Sequence, residues 1–326
     1  MTEKMNALKA MQNKLQLMSA VVIIVILVSF LGLLVSYSLG IAGFLLSMAF
    51  YMLVIRKKKN DYKKLIKKTI LEESYRKFLK NVSFIEKDGI DKSEVKSMGF
   101  LPVEEAGQVF VKDTVKGTYQ NRAVTLSEVT TNFRSVKTKK SGADKSFVDY
   151  MSGVLFDIEL AKDSGLDLLL WRKDAMSEAA FDHFVKGYDK ISLVEEEKKD
   201  KKEKKDSSDT ALSADEIFAK AGKKTVKLNR FEDMYDLYVR GGEMEKEQLL
   251  SSLDGLLKSF ASLCSFTPGQ PALQLKGNHL HIFVRTRFLY TIEIPVRTEL
   301  TEKVLSFLDF TEISYLLRVA DTLMKK

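Results

Sequence analysis

Cysteine occurs once in 326 residues, at Cys264. A single thiol excludes an internal disulfide framework and any metal site built from cysteines, and it fits a reducing compartment. Histidine occurs three times, at His183, His279 and His281, which limits the ways a Ser-His-Asp triad can be assembled. No serine lies in a G-x-S-x-G setting, and no glycine-rich phosphate loop is present. Gly241-Gly242 lacks a following Lys-Ser/Thr and reads as a turn before a helix. Cys264 sits in the apolar stretch "ASLCSF", where free thiols are inert core residues.

Excess charge is missing from most of the chain. The total is 52 basic against 44 acidic residues, a net +8. Residues 1–70 hold 11 of the basic groups against only Glu3 and Asp61, a net +9, which leaves the remainder at −1. The basic character therefore belongs to one flank, and a nucleic-acid-binding domain is not expected. No cofactor is indicated.

What is present is a 39-residue run without a charge, Leu17 to Ile55. As one helix it would be about 58 Å long, against a bilayer core of about 30 Å. Two helices fit, at about 17–35 and 39–55, with a turn at Ser36-Tyr-Ser-Leu-Gly40. Lys and Arg flank both ends and the turn has none. By the positive-inside rule residues 1–16 and everything after the second helix face the cytoplasm. Gly32/Ser36 and Gly43/Ser47 show the small-xxx-small spacing that lets helices approach closely in lipid, here within the hairpin. Arg56, Lys57, Lys58, Lys59, Lys63, Lys64, Lys67 and Lys68 open a juxtamembrane helix, expected over 56–82 and running to about Lys80. Such a cluster attracts anionic headgroups.

The soluble part, 83–326, reads as α+β with a mainly antiparallel sheet and flanking helices. Strands are expected at Val109–Asp113 and Arg122–Val129, with Gln120-Asn121 as a turn. Phe147–Ala161 and Leu166–Trp171, joined by Asp163-Ser-Gly165, read as a hairpin. Further strands are expected at Lys224–Leu228, Leu273–Leu275, Asn278–Thr286 and Phe288–Pro295. Helices are expected at Glu243–Phe260, Leu300–Leu308 and Thr311–Met324. Residues 195–210, "EEEKKDKKEKKDSSDT", hold no apolar side chain, so 195–212 reads as a charged flexible insertion. Ser213-Ala-Asp-Glu216 has the form of a capping box.

Two constellations carry possible chemistry. His279 and His281 in "NHLHIF" are two apart on a strand and share a face, so two imidazoles can reach one ion. A third ligand is not evident nearby, and a polar edge strand explains the pair equally well. Asp157 and Glu159 also share a face, as an acid–base pair would. Alternation sets that face opposite Phe156 and Ile158, which predicts a solvated face. Trp171, Tyr235, Tyr238, Phe283, Phe288 and Tyr290 read as core.

The segments "DTVKGTYQNRAVTLSEV" (Asp113 to Val129), "GVLFDIELAKDSG" (Gly153 to Gly165) and "KTVKLNRFEDMYDLYVR" (Lys224 to Arg240) carry a family resemblance. It continues in "QLLSSLDGLLKSF" (Gln248 to Phe260) and "LKGNHLHIFVRT" (Leu275 to Thr286). Over most of 70–326 the chain resembles the bacterial domain of unknown function 3137 family. The resemblance implies two N-terminal membrane helices, a cytoplasmic α+β domain and no assigned activity. It also implies a LemA-type membrane protein as a possible partner. Where the family often has an acidic residue and an Ala-Arg pair after the strand ending near Val239, this chain has Gly241, Gly242 and Lys246-Glu247, so no role for such a pair carries over. Together these features predict a bacterial inner-membrane protein with both termini cytoplasmic, acting as a non-enzymatic interaction or regulatory module. The alternatives are an anionic-lipid or acyl-chain binding domain and a membrane-tethered hydrolase.

Overall fold

The computed structural model describes residues 2–87, 89–103, 107–138, 144–175, 184–193, 231–241, 245–267, 269–285 and 312–324. The expected insertion at 195–212, the capping box at Ser213, the strands at Lys224–Leu228 and Phe288–Pro295 and the helix at Leu300–Leu308 lie outside the described residues.

Two long helices open the chain. Helix α1 spans Thr2–Val35, so it begins well before the apolar run. Helix α2 spans Tyr37–Phe50 and passes through a π-helical turn, Tyr51–Ile55, into α3, Arg56–Tyr75. The turn between α1 and α2 is narrower than the expected Ser36–Gly40. Ser36 alone leaves helical geometry, with φ −149° and ψ 117°, and its hydroxyl lies 3.2 Å from that of Ser38. Both arms of the hairpin are long and apolar enough to cross a membrane. Leu27, Leu31, Leu34, Leu46 and Leu53 point outward uncovered, a belt that a water-soluble surface would not carry.

The two arms pack along a heptad seam. On α1, Leu8, Gln12, Leu15, Val22 and Ser29 are buried, each step three, four or seven residues. The facing positions are Gly40, Ser47, Ile55 and Tyr62. The step from Ser47 to Ile55 is one residue too long for the repeat. The π-helical turn absorbs that residue and keeps the seam facing α1. At the apolar end the backbones approach closely. A Cβ on Gly40 would lie 2.5 Å from Leu33 Cδ2, and one on Gly43 would lie 2.5 Å from Ser29 Oγ. The small residues thus serve packing within the hairpin.

Helix α3 ends at Tyr75, short of the expected Lys80. Phe78 and Leu79 hydrogen-bond back to the Tyr75 carbonyl, and Leu79 drops into the core. The chain then enters a nine-stranded antiparallel sheet. Its strands are β1 (Lys80–Lys87), β2 (Val109–Tyr119), β3 (Arg122–Thr138), β4 (Asp144–Glu159), β5 (Asp167–Arg172), β6 (Asp189–Ser192), β7 (Tyr235–Arg240), β8 (Pro271–Lys276) and β9 (His279–Val284). A short helix α4 (Lys92–Met98) follows β1, capped by Asp91. Helix α5 (Lys246–Phe266) follows β7 and α6 (Glu312–Met324) closes the described chain.

The spatial order is β1-β2-β3-β4-β9-β8-β5-β7-β6. The expected hairpin between β4 and β5 does not form, because the β8–β9 hairpin sits between them. The Asp163–Gly165 turn is real, with Gly165 at φ +65° and its amide donating to Asp163 Oδ1. It carries the chain across the tip of β8–β9 instead of folding it back. The Leu160 amide donates to Asn278 O at 2.6 Å and the Ser164 amide to Gly277 O at 2.9 Å.

Apolar side chains fill both faces of the sheet. Phe156, Ile158, Leu170, Leu237, Leu273 and Ile282 face α5, α6 and the end of α3. Leu155, Leu169, Trp171 and Phe283 face the α4 region, where Val95, Phe100 and Leu101 cover them. Of the aromatic residues expected in the core, Trp171, Tyr235, Tyr238 and Phe283 are buried there; Phe288 and Tyr290 lie outside the described residues.

Candidate functional site

The basic helix divides into two halves. Arg56, Lys57, Lys58 and Lys63 are exposed and Lys59 lies over the Tyr51 ring, 5.2 Å from its centroid. One turn lower the exposed Lys64 reaches Glu86 on β1 at 3.1 Å, and Lys68 lies 3.9 Å from Glu72 one turn along the same helix. Lys67 pairs with Asp113, whose carboxylate is 7% exposed. Asp113 is the extra residue of a bulge between Lys112 and Thr114, with φ +38°, and the bulge aims its side chain at α3. Glu128 on β3 lies beside the pair. Its burial, reinforced by the Asp113 charge, pushes its carboxyl above the ordinary range, against the pull of Lys112 and Lys67.

The second cluster lies on the α4 face of the sheet. Asp157 on β4 stands directly opposite His281 on β9, and His279 follows two residues away on the same face. Asp157 Oδ1 is 3.1 Å from His279 Nδ1 and 3.0 Å from His281 Nδ1. The two rings are nearly parallel, 11° apart with centroids at 5.7 Å. Phe100 stacks on the far side of His281, its centroid 6.1 Å away. His281 is 6% exposed, Asp157 16% and His279 44%.

Three sequence-based expectations change here. Strand β9 is not an edge strand, since β4 and β8 flank it. The face of Asp157 is not solvated, because the α4 region covers it. A third ligand-type side chain does stand beside the histidines, supplied by β4 at a separation of 122 residues. Glu159 is not its acid–base partner; it is exposed and accepts from Asn278 Nδ2 at 3.3 Å.

Burial works against the Asp157 charge, yet the neighbouring His281 and His279 imidazoles outweigh it and hold the carboxyl below its usual range. The polar row continues across the sheet. Gln274, fully buried opposite His281, donates to the Met98 carbonyl at 3.2 Å. Tyr188 donates to Asp167 at 2.9 Å, and the Arg240 guanidinium lies over its ring at 4.1 Å. Burial first, then Asp167, pushes the Tyr188 hydroxyl up to about 12. Cys264 on α5 is also pushed up to about 12, chiefly by burial, which keeps it an unreactive thiol. His183 lies outside the described residues.

Fold and site together define an α+β sheet domain carried on a helical hairpin. Comparison with protein-family models, curated proteins and solved structures finds no match to this chain.

Proposed function

We propose that this protein is a membrane-anchored interaction or regulatory module whose sheet domain is held at the cytoplasmic face of the bacterial inner membrane. One observation carries the reading. The helical path from Tyr37 to Tyr75 is unbroken over 39 residues, about 58 Å, and ends inside the sheet core, where Leu71 and Tyr75 are buried. A flexible linker would leave a tethered domain free to tumble. Here the anchor and the domain core share one helix, which fixes the domain's orientation and raises its local concentration near other membrane proteins. The resemblance to the domain of unknown function 3137 family makes a LemA-type protein the first partner to test.

Affinity capture of the intact chain from mild detergent is expected to recover a specific membrane protein in comparable amount. Recovery of lipid and nothing else would sink the reading. The topology has its own test. The positive-inside rule leaves only the residues around Ser36 outside the membrane. A Ser38→Cys variant in a Cys264→Ala background is therefore expected to react with an impermeant thiol reagent applied from outside. No labelling of that variant, alongside labelling of a cysteine introduced near the C-terminus, would reverse the orientation.

A further inference from the structure

We propose that Asp157, His279 and His281 form a binding site for one divalent transition-metal ion of the zinc class, with a fourth coordination position open to solvent. Three ligand atoms, one from each residue, lie within 4.8 Å of one another. A tetrahedral ion with bonds of about 2.0–2.1 Å holds neighbouring ligand atoms about 3.3 Å apart. Asp157 Oδ1 stands 3.1 and 3.0 Å from the two Nδ1 atoms, close to that spacing on two of the three edges, so an adjustment of the side chains would seat an ion among them. Two imidazoles and one carboxylate select zinc-like ions over magnesium or calcium, which prefer all-oxygen shells.

The bland alternative is a metal-free cluster in which the carboxylate bridges two imidazoles. His281 argues against it. Its Nδ1 is buried and makes no well-directed hydrogen bond, although the carboxylate oxygen is close by. A buried ring nitrogen in that state is costly, and a cation between it and the carboxylate removes the cost. The ligands are also pre-positioned. Asp157 and His281 are fixed as register partners on paired strands, and Phe100 stacks on the His281 ring. His279 is the half-exposed member, so the open side of the site lies toward solvent. Three protein ligands with one free position is the pattern in which zinc retains a water molecule.

The test uses the purified full-length chain in mild detergent, stripped with a chelator and titrated with Zn²⁺ against a chromophoric competitor. One equivalent bound per chain is expected. Asp157→Asn, His279→Ala and His281→Gln are each expected to weaken binding by at least about 10-fold. With Co²⁺, the visible absorption of a four-coordinate ion is expected in the parent chain and not in the triple variant. Because replacing buried His281 can perturb the fold, the half-exposed His279→Ala variant carries the decision, with its metal-free thermal unfolding as the control. The proposal is overturned by no uptake, by one equivalent still bound in the triple variant, or by unchanged affinity in a folded His279→Ala chain.

Discussion

Lys67→Met is expected to lower the unfolding free energy by about 3 kcal/mol at neutral pH, the cost of leaving a buried charge without its partner. Asp113 is the buried partner, and among the described residues no other basic side chain forms an ion pair with it. Glu128 sets the pH dependence. Its carboxyl is raised in the folded state, chiefly by burial and then by Asp113, and Lys67 offsets part of that rise. A carboxyl raised in the folded state binds a proton more readily folded than unfolded. Its cost to stability is therefore full above the folded value and fades as pH falls toward the unfolded value near about 4.3. Removing Lys67 enlarges that cost, so the deficit of the variant is expected to be larger at pH 7 than at pH 5. The chain's single tryptophan, Trp171, is buried in the sheet and reports unfolding by fluorescence. Adding Asp113→Asn to Lys67→Met is expected to recover part of the loss, because the stranded charge goes with it. A deficit below about 1 kcal/mol, or one that grows toward pH 5, would show that the pair does not fasten the anchor helix to the sheet.

The contrast between these residues explains which features are legible in the sequence alone. The helical hairpin was legible because a 39-residue uncharged run has few physical solutions. The β2–β3 turn was legible because Gln120-Asn121 is local chemistry, and both residues adopt positive φ, 47° and 63°. The wrong hairpin between β4 and β5 shows the limit. The Asp163–Gly165 turn announces a change of direction but not which strand will lie alongside. The same holds for Asp157. Its alternation, and that of His279 and His281, was plain, but only the β4–β9 register makes them neighbours. By sequence Lys67 belongs with seven other basic residues in a cluster expected to attract headgroups. The bulge that brings Asp113 to it depends on one residue in excess between β2 and β3, which no local pattern announces.

Gly153→Val is expected to cost about 3 kcal/mol and to weaken the Asp157 site without touching a ligand. Gly153 lies on β4 one residue before its pairing with β9 begins at Val154–Val284. A Cβ there would stand 2.3 Å from the Val284 carbonyl oxygen, 2.7 Å from Phe283 Cζ and 3.0 Å from Arg285 Cα. Two of the three obstacles are backbone atoms, so rotamer changes alone cannot make room and β9 itself must move. Overpacking of a tight interior typically costs about 1–3 kcal/mol, and backbone clashes fall at the upper end. The displaced strand is the one that carries His279 and His281, while Asp157 stays on β4. Separation at the Val154–Val284 end loosens the ladder toward Asp157–His281, three pairs away. Gly255 on α5 supplies the opposite case, because it is exposed and a Cβ there meets nothing within 4 Å. Gly255→Ala is expected to raise stability by about 1 kcal/mol through helix propensity alone. Denaturant midpoints and Zn²⁺ affinity measured on the two variants separate the effects. Gly255→Ala should leave affinity unchanged, and Gly153→Val should lower both quantities together. If Gly153→Val loses stability but keeps full affinity, the site does not depend on the β4–β9 register and its ligands are held by the α4 side alone.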